Sequence, residues 1–230
     1  MEKATKLLFA IAAILLLAGL ALAFFVAPQI VIQKNGQYLS VFSQKIFYFH
    51  VPVAWTSLLA FIVGAVFGAL FLTKKERRYD FLSFASVELG FLFGVLVMWS
   101  GDIWTRSEWG TWWEWEPRLT TYLILMLLYS GYFVLRSAVS EESSKARLSA
   151  AYSVIASVTV PFTFFAIRII PSVHPVVLSM DGVAMEPTML VAMLVPVFGM
   201  TCLYIALLLM RYQTLLIGEE VDYLKNELGG

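Results

Sequence analysis

The 230-residue sequence has little charge: Lys, Arg, Asp and Glu together make up 14% of it, against about 25% in an average soluble domain. Hydrophobic residues make up 60%. So few charged residues cannot cover a soluble domain with polar surface, and so many apolar residues are atypical of a disordered chain. The 16 basic residues only balance the 16 acidic ones, which leaves no basic excess for binding nucleic acid. The composition therefore excludes a soluble enzyme and a nucleic-acid-binding protein, and it predicts an integral membrane protein.

Cysteine and histidine are also scarce, with one Cys and two His. The lone Cys202 excludes an internal disulfide, a CxxC redox pair and a CxxCH motif for covalent haem attachment. The sequence also lacks the GxSxG motif of serine hydrolases, the HExxH motif of zinc proteases and a Walker A motif for ATP hydrolysis. We therefore expect no catalytic turnover from the chain itself.

Six stretches of the chain carry no charge or a single ionisable side chain. Each is long enough for a transmembrane helix, which needs about 20 apolar residues to cross a hydrocarbon core of roughly 30 Å. The runs are continuously apolar and longer than the alternating strands of about ten residues in a β-barrel. The six stretches are Leu7–Gln33, Ile46–Thr73, Phe81–Gly101, Leu119–Leu135, Leu148–Ile167 and Pro187–Met210. We expect an all-α, polytopic membrane protein in which residues 1–230 form one domain.

The first stretch has some features of a secretory signal peptide, because Lys3 and Lys6 precede it and the run Ala21-Leu22-Ala23 resembles a cleavage site. Its apolar part continues to Ala27, however, and exceeds the roughly 7–15 residues of a signal-peptide core. We expect this stretch to remain as the first transmembrane helix.

The basic residues indicate the orientation, because Lys and Arg favour the cytoplasmic side of a membrane protein. With a cytoplasmic N-terminus, 11 of the 16 basic residues lie on that side, most densely in residues 73–80, and both termini are cytoplasmic. The external loops then cover residues 28–45, 102–118 and 168–186. This pattern predicts a multi-pass protein of the plasma (inner) membrane.

Tryptophan is concentrated in the second external loop. Five of the seven Trp lie between residues 104 and 115, and all seven fall on the predicted external side. An aromatic belt is the simplest explanation, but a belt marks both interfaces and is dispersed along them. Trp109, Trp112 and Trp113 have the i, i+3, i+4 spacing of one helix face. We therefore expect a short external helix whose Trp side chains form a platform for a large, flat, apolar ligand.

The two histidines, His50 and His174, also fall on the predicted external side, each close to a proline. One histidine alone would be read as an interfacial polar residue. Two that face each other across an aromatic surface would form a bis-histidine haem site, since neutral imidazole is a common iron ligand. Arg106 and Arg118 could hold carboxylates of such a ligand, although Arg106 is equally well placed to pair with the acidic residues around it.

The run from Trp109 to Thr121, WGTWWEWEPRLTT, resembles the tryptophan-rich WWD signature of haem-handling membrane proteins. With six predicted helices and one histidine on each side of the run, the chain resembles the CcmC family of system I cytochrome c maturation in particular. The resemblance implies that haem b is held non-covalently at the external, periplasmic face between the axial ligands His50 and His174. The residues that match the motif are Trp109, Trp112, Trp113, Trp115, Arg118 and Leu119.

The resemblance also implies partners. Members of the family present haem to a CcmE-like haem chaperone, and they work with the ABC components CcmA and CcmB and with a small CcmD-like subunit in the membrane lipid. The chain departs from the family pattern at Glu116, where Asp is usual, at Glu114 and at Pro117. Because Glu adds a methylene to the side chain, a hydrogen bond made by the usual Asp is in doubt at Glu116.

Two other functions fit part of the pattern. An electron-transfer membrane cytochrome b also binds haem between histidines, but usually inside its spanning helices rather than at one surface. A structural subunit of an ABC-type transporter complex would use the Trp cluster only as an anchor at the lipid interface.

Glu88 is an ionisable side chain about 10 Å inside the third predicted helix. A carboxyl group at that depth is costly and points to a function. We expect it to be protonated or to contact a partner helix, such as that of a small subunit.

Overall fold

The computed structural model is almost entirely helical over the residues that it describes, namely 2–29, 31–34, 37–40, 43–170, 178–179, 182–183 and 185–228. The helices are α1 Glu2–Ala21, α2 Gln44–Lys74, α3 Arg77–Trp109, α4 Pro117–Ala138, α5 Glu142–Ala156, α6 Thr159–Ile169 and α7 Pro187–Leu228. Two short antiparallel hairpins lie between helices: β1 Val31–Lys34 with β2 Gln37–Ser40, and β3 Leu178–Ser179 with β4 Gly182–Val183.

Six helical segments of the described chain are long and apolar enough to cross a membrane, which confirms the predicted architecture. Several helices extend beyond the charge-free stretches, and α3 is the most important case, with 33 residues. At 1.5 Å per residue, α3 is about 50 Å long and exceeds a hydrocarbon core of roughly 30 Å by about 20 Å. Its last turns, from Asp102 to Trp109, are therefore free to form part of a site outside the hydrocarbon.

The fifth span consists of two helices, because α5 ends at Ala156 and α6 begins at Thr159. Pro161 accounts for the break: it has no N–H to donate to the carbonyl of Ser157, and its ring clashes with a carbonyl four residues earlier in a regular helix. The Val160 N–H instead donates to the Ser157 carbonyl at 3.0 Å. Both helices belong to one apolar segment that is long enough to span a membrane.

Small residues allow α2 and α3 to pack closely. A Cβ at Gly64 would lie 2.8 Å from the side chain of Val87, and one at Gly90 would lie 2.8 Å from the ring of Phe61. The hydroxyl of Ser83 on α3 also donates to the Gly64 carbonyl on α2 at 2.8 Å. Close backbone approach and interhelical hydrogen bonds are the main attractive forces between helices in lipid. They make α2 and α3 a rigid pair on which the site is built.

Ion pairs show which helix ends lie together at one side of the bundle. Arg77, at the start of α3, pairs with Glu142 at the start of α5 at 3.0 Å and with Glu219 in the last turns of α7 at 3.1 Å. Beside it, the buried Asp80 accepts hydrogen bonds from Arg136 of α4 at 2.8 and 3.0 Å. We call this side of the bundle the basic end, because it carries, besides these five residues, the dense run of Lys and Arg at residues 73–80.

The opposite side gathers the start of α2 and the end of α3. Ser43, the N-cap of α2, hydrogen-bonds to Glu108 in the last turn of α3. The hydroxyl oxygen of Thr163 in α6 lies 3.4 Å from the carbonyl oxygen of Thr121, in the second turn of α4. We call this side, which carries Ser43, Glu108 and residues 104–115, the aromatic end.

The end of the first span is tied to the same place. A π-helical turn, Leu22–Val26, follows α1. The ammonium group of Lys45 donates to the carbonyls of Ala23 at 2.7 Å and Ala27 at 3.1 Å. These contacts satisfy helix-terminal carbonyls and bind the first span to the start of α2.

Glu88 has a partner within the chain. Its two carboxylate oxygens accept hydrogen bonds from the guanidinium of Arg211 on α7, at 2.7 and 2.9 Å. This bidentate pair joins α3 to α7. The positive charge of Arg211 therefore balances the Glu88 carboxylate, for which the sequence alone indicated no partner within the chain.

Candidate functional site

The candidate site lies at the aromatic end and combines three elements. His50 lies in the second turn of α2, α3 ends at Trp109, and Arg118 is the second residue of α4. Residues 110–116 connect α3 to α4 and carry the rest of the tryptophan-rich segment. The rigid α2–α3 pair thus sets the position of the histidine relative to this segment.

The imidazole of His50 packs against α3. Its Nδ1 lies 2.9 Å from the hydroxyl oxygen of Ser100, and a Cβ at Gly101 would lie 3.4 Å from its Cε1. The Ser100 hydroxyl also donates to the carbonyl of Leu96, four residues earlier in α3, at 2.7 Å. The ring is therefore held by one side chain of α3 and packs against the side-chain-free backbone of the next residue.

Arg118, the second residue of α4, lies near His50 at the aromatic end. Tyr122, one turn later in α4, donates to the hydroxyl of Ser57, two turns beyond His50 in α2, at 2.9 Å. Two residues that the sequence assigns to the site are thereby brought together from different helices.

The tryptophan-rich segment is not a separate short helix, so the prediction that Trp109, Trp112 and Trp113 share one helix face is wrong. α3 continues to Trp109, and Gly110 then has φ +78°, a left-handed conformation that ends the helix and that glycine adopts without steric penalty. Residues 111–116 are not helical. A regular i, i+3, i+4 spacing indicates a helix face only if no helix terminator lies inside it, and here Gly110 does.

Two hydrogen bonds hold this loop against the end of α3. The hydroxyl of the buried Thr105 shares its hydrogen between the carbonyl of Trp112, at 3.0 Å, and that of Asp102 in its own helix, at 2.9 Å. Arg106 donates to the carbonyl of Gly110, and its guanidinium carbon lies 5.8 Å from the centre of the Trp112 ring. Arg106 thus contacts the loop from the last turn of α3. The sequence had suggested that it would bind a carboxylate of the ligand or pair with a neighbouring acidic residue.

Glu116 is the N-cap of α4. One oxygen of its buried carboxylate accepts a hydrogen bond from the Leu119 N–H at 2.7 Å. Pro117 follows at the first helical position, where a missing N–H costs no helical hydrogen bond. The Glu116 side chain therefore makes a capping hydrogen bond, and Glu116 and Pro117 together favour the start of α4 at this position.

An open cleft of about 430 Å³ lies beside this loop. Its lining residues are Trp109, Glu114, Trp115 and Glu116. Trp113 stands edge-on to Trp115, with ring centres 5.6 Å apart. Trp112 is not among the residues that line the cleft, and its side chain is 61% exposed. An aromatic cleft of this kind suits a flat apolar ligand.

One polar atom near the cleft lacks a partner. The indole N–H of Trp113 is buried and makes no hydrogen bond to any residue that the structure describes. Leaving a buried donor unpaired costs about 1–3 kcal/mol. An acceptor on a bound ligand would remove that cost.

His174, the second expected axial ligand, lies outside the described residues, and its role stays a prediction. The chain on either side of it is nevertheless attached at the aromatic end. Thr163 of α6 contacts the start of α4, and the amide of Gln44 lies 3.9 Å from the sulfur of Met189 near the start of α7.

Some residues of this site could not be recognised from the sequence. Ser100, Gly101 and Thr105 are ordinary small residues of a transmembrane helix, and only the packing of α2 on α3 gives them a role. Gly110 is different, since a glycine that follows a helical run and precedes a Pro-initiated helix is a recognisable stop signal.

Comparisons with known proteins identify a family and several relatives. The family model CcmC, heme exporter protein C, matches residues 1–227. The chain is 32% identical over 165 residues to heme exporter protein C of Bradyrhizobium diazoefficiens, which covers 71% of this chain and 63% of that relative. It is 31% identical to the protein of the same name from Haemophilus influenzae, over 77% of this chain and 73% of the relative. For the Rhodobacter capsulatus protein of that name the values are 31%, 86% and 81%.

Proposed function

The chain belongs to the CcmC family, that of heme exporter protein C, and from this membership we propose that it binds haem at the aromatic end and delivers it for cytochrome c maturation. One observation supports the proposal most directly. An imidazole, a guanidinium group and an open cleft lined by two Trp and two Glu residues occur at one end of a bundle of membrane-spanning helices. They match the three parts of haem, which are an iron that takes nitrogen ligands, two carboxylates and a flat apolar ring.

We propose His50 as one axial ligand and His174 as the other. Nδ1 of His50 contacts Ser100, which leaves Nε2 for the iron, and Nε2 has no hydrogen bond to the part of the chain that the structure describes. The chain contains two histidines, so a bis-histidine site requires both of them. The described chain on both sides of His174 is attached at the aromatic end, which supports this pairing.

The haem propionates and ring have candidate partners of their own. The Arg118 guanidinium, at the start of α4 at the aromatic end, would bind a propionate through charge-assisted hydrogen bonds. The unpaired indole N–H of Trp113 would donate to the same kind of acceptor. Trp109 and Trp115 would contact the ring from the cleft that they line.

We propose non-covalent haem b as the bound form. The one cysteine, Cys202, lies 15 residues beyond the start of α7, about 22 Å along the helix at 1.5 Å per residue. A thioether link to a ligand at the aromatic end is therefore out of reach. Release of haem then requires only that the iron exchanges its histidine ligands, without breaking a covalent bond to the haem ring. This suits a carrier without catalytic turnover.

We propose that the aromatic end faces the periplasm and that the basic end faces the cytoplasm of an inner membrane. The corner between α2 and α3, at the basic end, has the densest run of Lys and Arg in the chain, and such residues favour the cytoplasmic side. At the aromatic end, Trp115 is 76% exposed and offers a contact surface for a haem-accepting chaperone of the CcmE kind. CcmA, CcmB and a CcmD-like subunit are the proposed membrane partners.

The haem content of the purified full-length chain tests this function. The variants are His50→Ala, His174→Ala and the double variant, with Phe49→Ala as a matched control, since Phe49 is adjacent to His50 and 40% exposed. We expect near-stoichiometric haem in the wild type and in the control, and loss of haem in each histidine variant. Wild-type haem content in the double variant would contradict the bis-histidine site.

A second measurement separates a carrier from an electron-transfer cytochrome. A quinol is added to the haem-loaded protein and the absorption spectrum is followed. A carrier whose haem waits for a chaperone should show no fast, quinol-driven reduction. Rapid and reversible reduction would favour the membrane cytochrome b instead.

A further inference from the structure

The hydrogen bond between Ser100 and His50 determines which imidazole nitrogen is free. We propose that Ser100 is a positioning residue that holds His50 in the Nδ1-protonated tautomer, so that Nε2 carries the lone pair offered to iron. The contact between Ser100 and His50 is observed in the structure, and its effect on haem affinity rests on the function proposed above.

A serine hydroxyl has a single hydrogen to donate. The Ser100 oxygen lies 2.7 Å from the Leu96 carbonyl oxygen and 3.2 Å from that of Val97, both in its own helix. Two oxygens can approach to about 2.7 Å only when a hydrogen lies between them. The hydroxyl hydrogen is therefore used within α3, and the lone pairs of the oxygen remain for other donors.

His50 must then be the donor in its contact with Ser100. Nδ1 lies 2.9 Å from the hydroxyl oxygen, and a neutral imidazole has one nitrogen that donates and one that accepts. Because the hydroxyl hydrogen points to Leu96, Nδ1 carries the imidazole hydrogen and Nε2 is unprotonated. A neutral imidazole in this state is a ready metal ligand.

The surroundings keep this arrangement in place. Ser100 is 3% exposed, so water does not compete freely for its oxygen. Gly101 packs against the same edge of the ring, where a Cβ would be 3.4 Å from Cε1, the carbon between Nδ1 and Nε2. The hydrogen bond from Ser100 to Leu96 polarises the hydroxyl and strengthens its acceptor oxygen. A metal-ligating histidine typically donates its other N–H to such a partner, which orients the ring and raises its basicity.

The first test reads the tautomer directly, without haem. The full-length chain, labelled with ¹⁵N-histidine and reconstituted in nanodiscs, contains two labelled residues, and His174→Ala identifies the signals of His50. We expect one Nδ1-protonated form in the wild type, a mixture of tautomers in Ser100→Ala, and return of the single form in Ser100→Thr. Ser130→Ala is the matched control, since Ser130 makes the same hydrogen bond to a carbonyl four residues earlier, that of Met126, at 2.9 Å.

The second test measures haem. Loss of an outer hydrogen bond to a ligating histidine typically weakens metal binding by about 10–100-fold. We expect that loss in Ser100→Ala, recovery in Ser100→Thr and wild-type binding in Ser130→Ala. An unchanged tautomer or an unchanged haem affinity in Ser100→Ala would overturn the positioning role. Full haem binding by His50→Ala would instead overturn the proposed ligand, which the tautomer measurement does not depend on.

Discussion

Arg118 shows how one side chain at the aromatic end can be tested at the scale of the residue. It is the second residue of α4, one turn before Tyr122, which donates to Ser57 of α2 at 2.9 Å. If it binds a propionate, Arg118→Ala removes a charged hydrogen bond worth about 1.5–3 kcal/mol, and haem affinity falls roughly 10–150-fold. Haem titration of the purified chain, followed by absorbance, measures this change.

The matched variant for that prediction is Arg118→Lys. Lysine keeps the positive charge but cannot form the planar, bidentate contact of a guanidinium. We expect it to bind haem with an affinity between those of the wild type and Arg118→Ala. Equal affinities for all three proteins would show that Arg118 does not touch the ligand.

Glu88 and Arg211 give a prediction about stability rather than ligand binding. They form a bidentate pair between α3 and α7, with side chains 29% and 36% exposed. Either Glu88→Gln or Arg211→Gln leaves one charge without its partner, and we expect each to lower the free energy of unfolding by about 1–3 kcal/mol. The double variant should lose less than the sum of the two, because neither charge is then left alone. Strictly additive losses in detergent unfolding would show that the pair is not coupled.

At the scale of the element, the end of α3 decides where the tryptophan loop lies. Gly110 has φ +78°, and no atom would contact a Cβ there, so Gly110→Ala changes only the cost of the left-handed backbone. We expect it to destabilise the protein by about 1 kcal/mol and to weaken haem binding, because the loop that follows is displaced. Thermal unfolding and haem titration check the two effects.

Gly218→Ala is the control for that variant. Gly218 lies within α7, and a Cβ there also meets no atom. Without a left-handed backbone, alanine should stabilise the helix by up to about 1 kcal/mol and leave haem binding unchanged. A shift of stability in the same direction in both glycine variants would show that the left-handed backbone at Gly110 does not determine the cost of Gly110→Ala.

Helix α3 shows what a sequence pattern can and cannot predict. Charge-free runs locate all six spans within the described chain, because crossing lipid demands long apolar stretches. They do not locate the helix ends: α3 extends from the charged Arg77 to Trp109, since a helix in water needs no apolar residues. The break between α5 and α6 and the loop after Gly110 depend on single residues, Pro161 and Gly110, that a search for apolar runs overlooks.

The site was only partly predictable for a related reason. Rare residues in a membrane chain, such as Trp and His, stand out by composition, and His50 and Arg118 do lie at the same end of the bundle. Ser100 and Thr105 are common residue types, and their contacts to His50 and Trp112 follow from tertiary packing. Likewise, no local pattern could pair Glu88 with Arg211, 123 positions away.

At the scale of the whole molecule, the orientation of the bundle is the open prediction. In a Cys202→Ser background, Ser107→Cys places a thiol on an exposed position of α3 at the aromatic end, and Ser140→Cys places one in the exposed connection at the basic end. We expect a membrane-impermeant maleimide to label the first variant in intact spheroplasts and the second only after the membrane is opened. The reverse pattern would invert the topology.

The central claim is that the imidazole of His50 binds haem iron at the aromatic end, and imidazole rescue tests it most directly. The ferric spectrum of the purified wild type is compared with that of His50→Gly, before and after free imidazole is added. The account predicts a six-coordinate, low-spin spectrum in the wild type, its loss in His50→Gly, and its return when imidazole occupies the vacated position. A low-spin spectrum in His50→Gly without imidazole would contradict it.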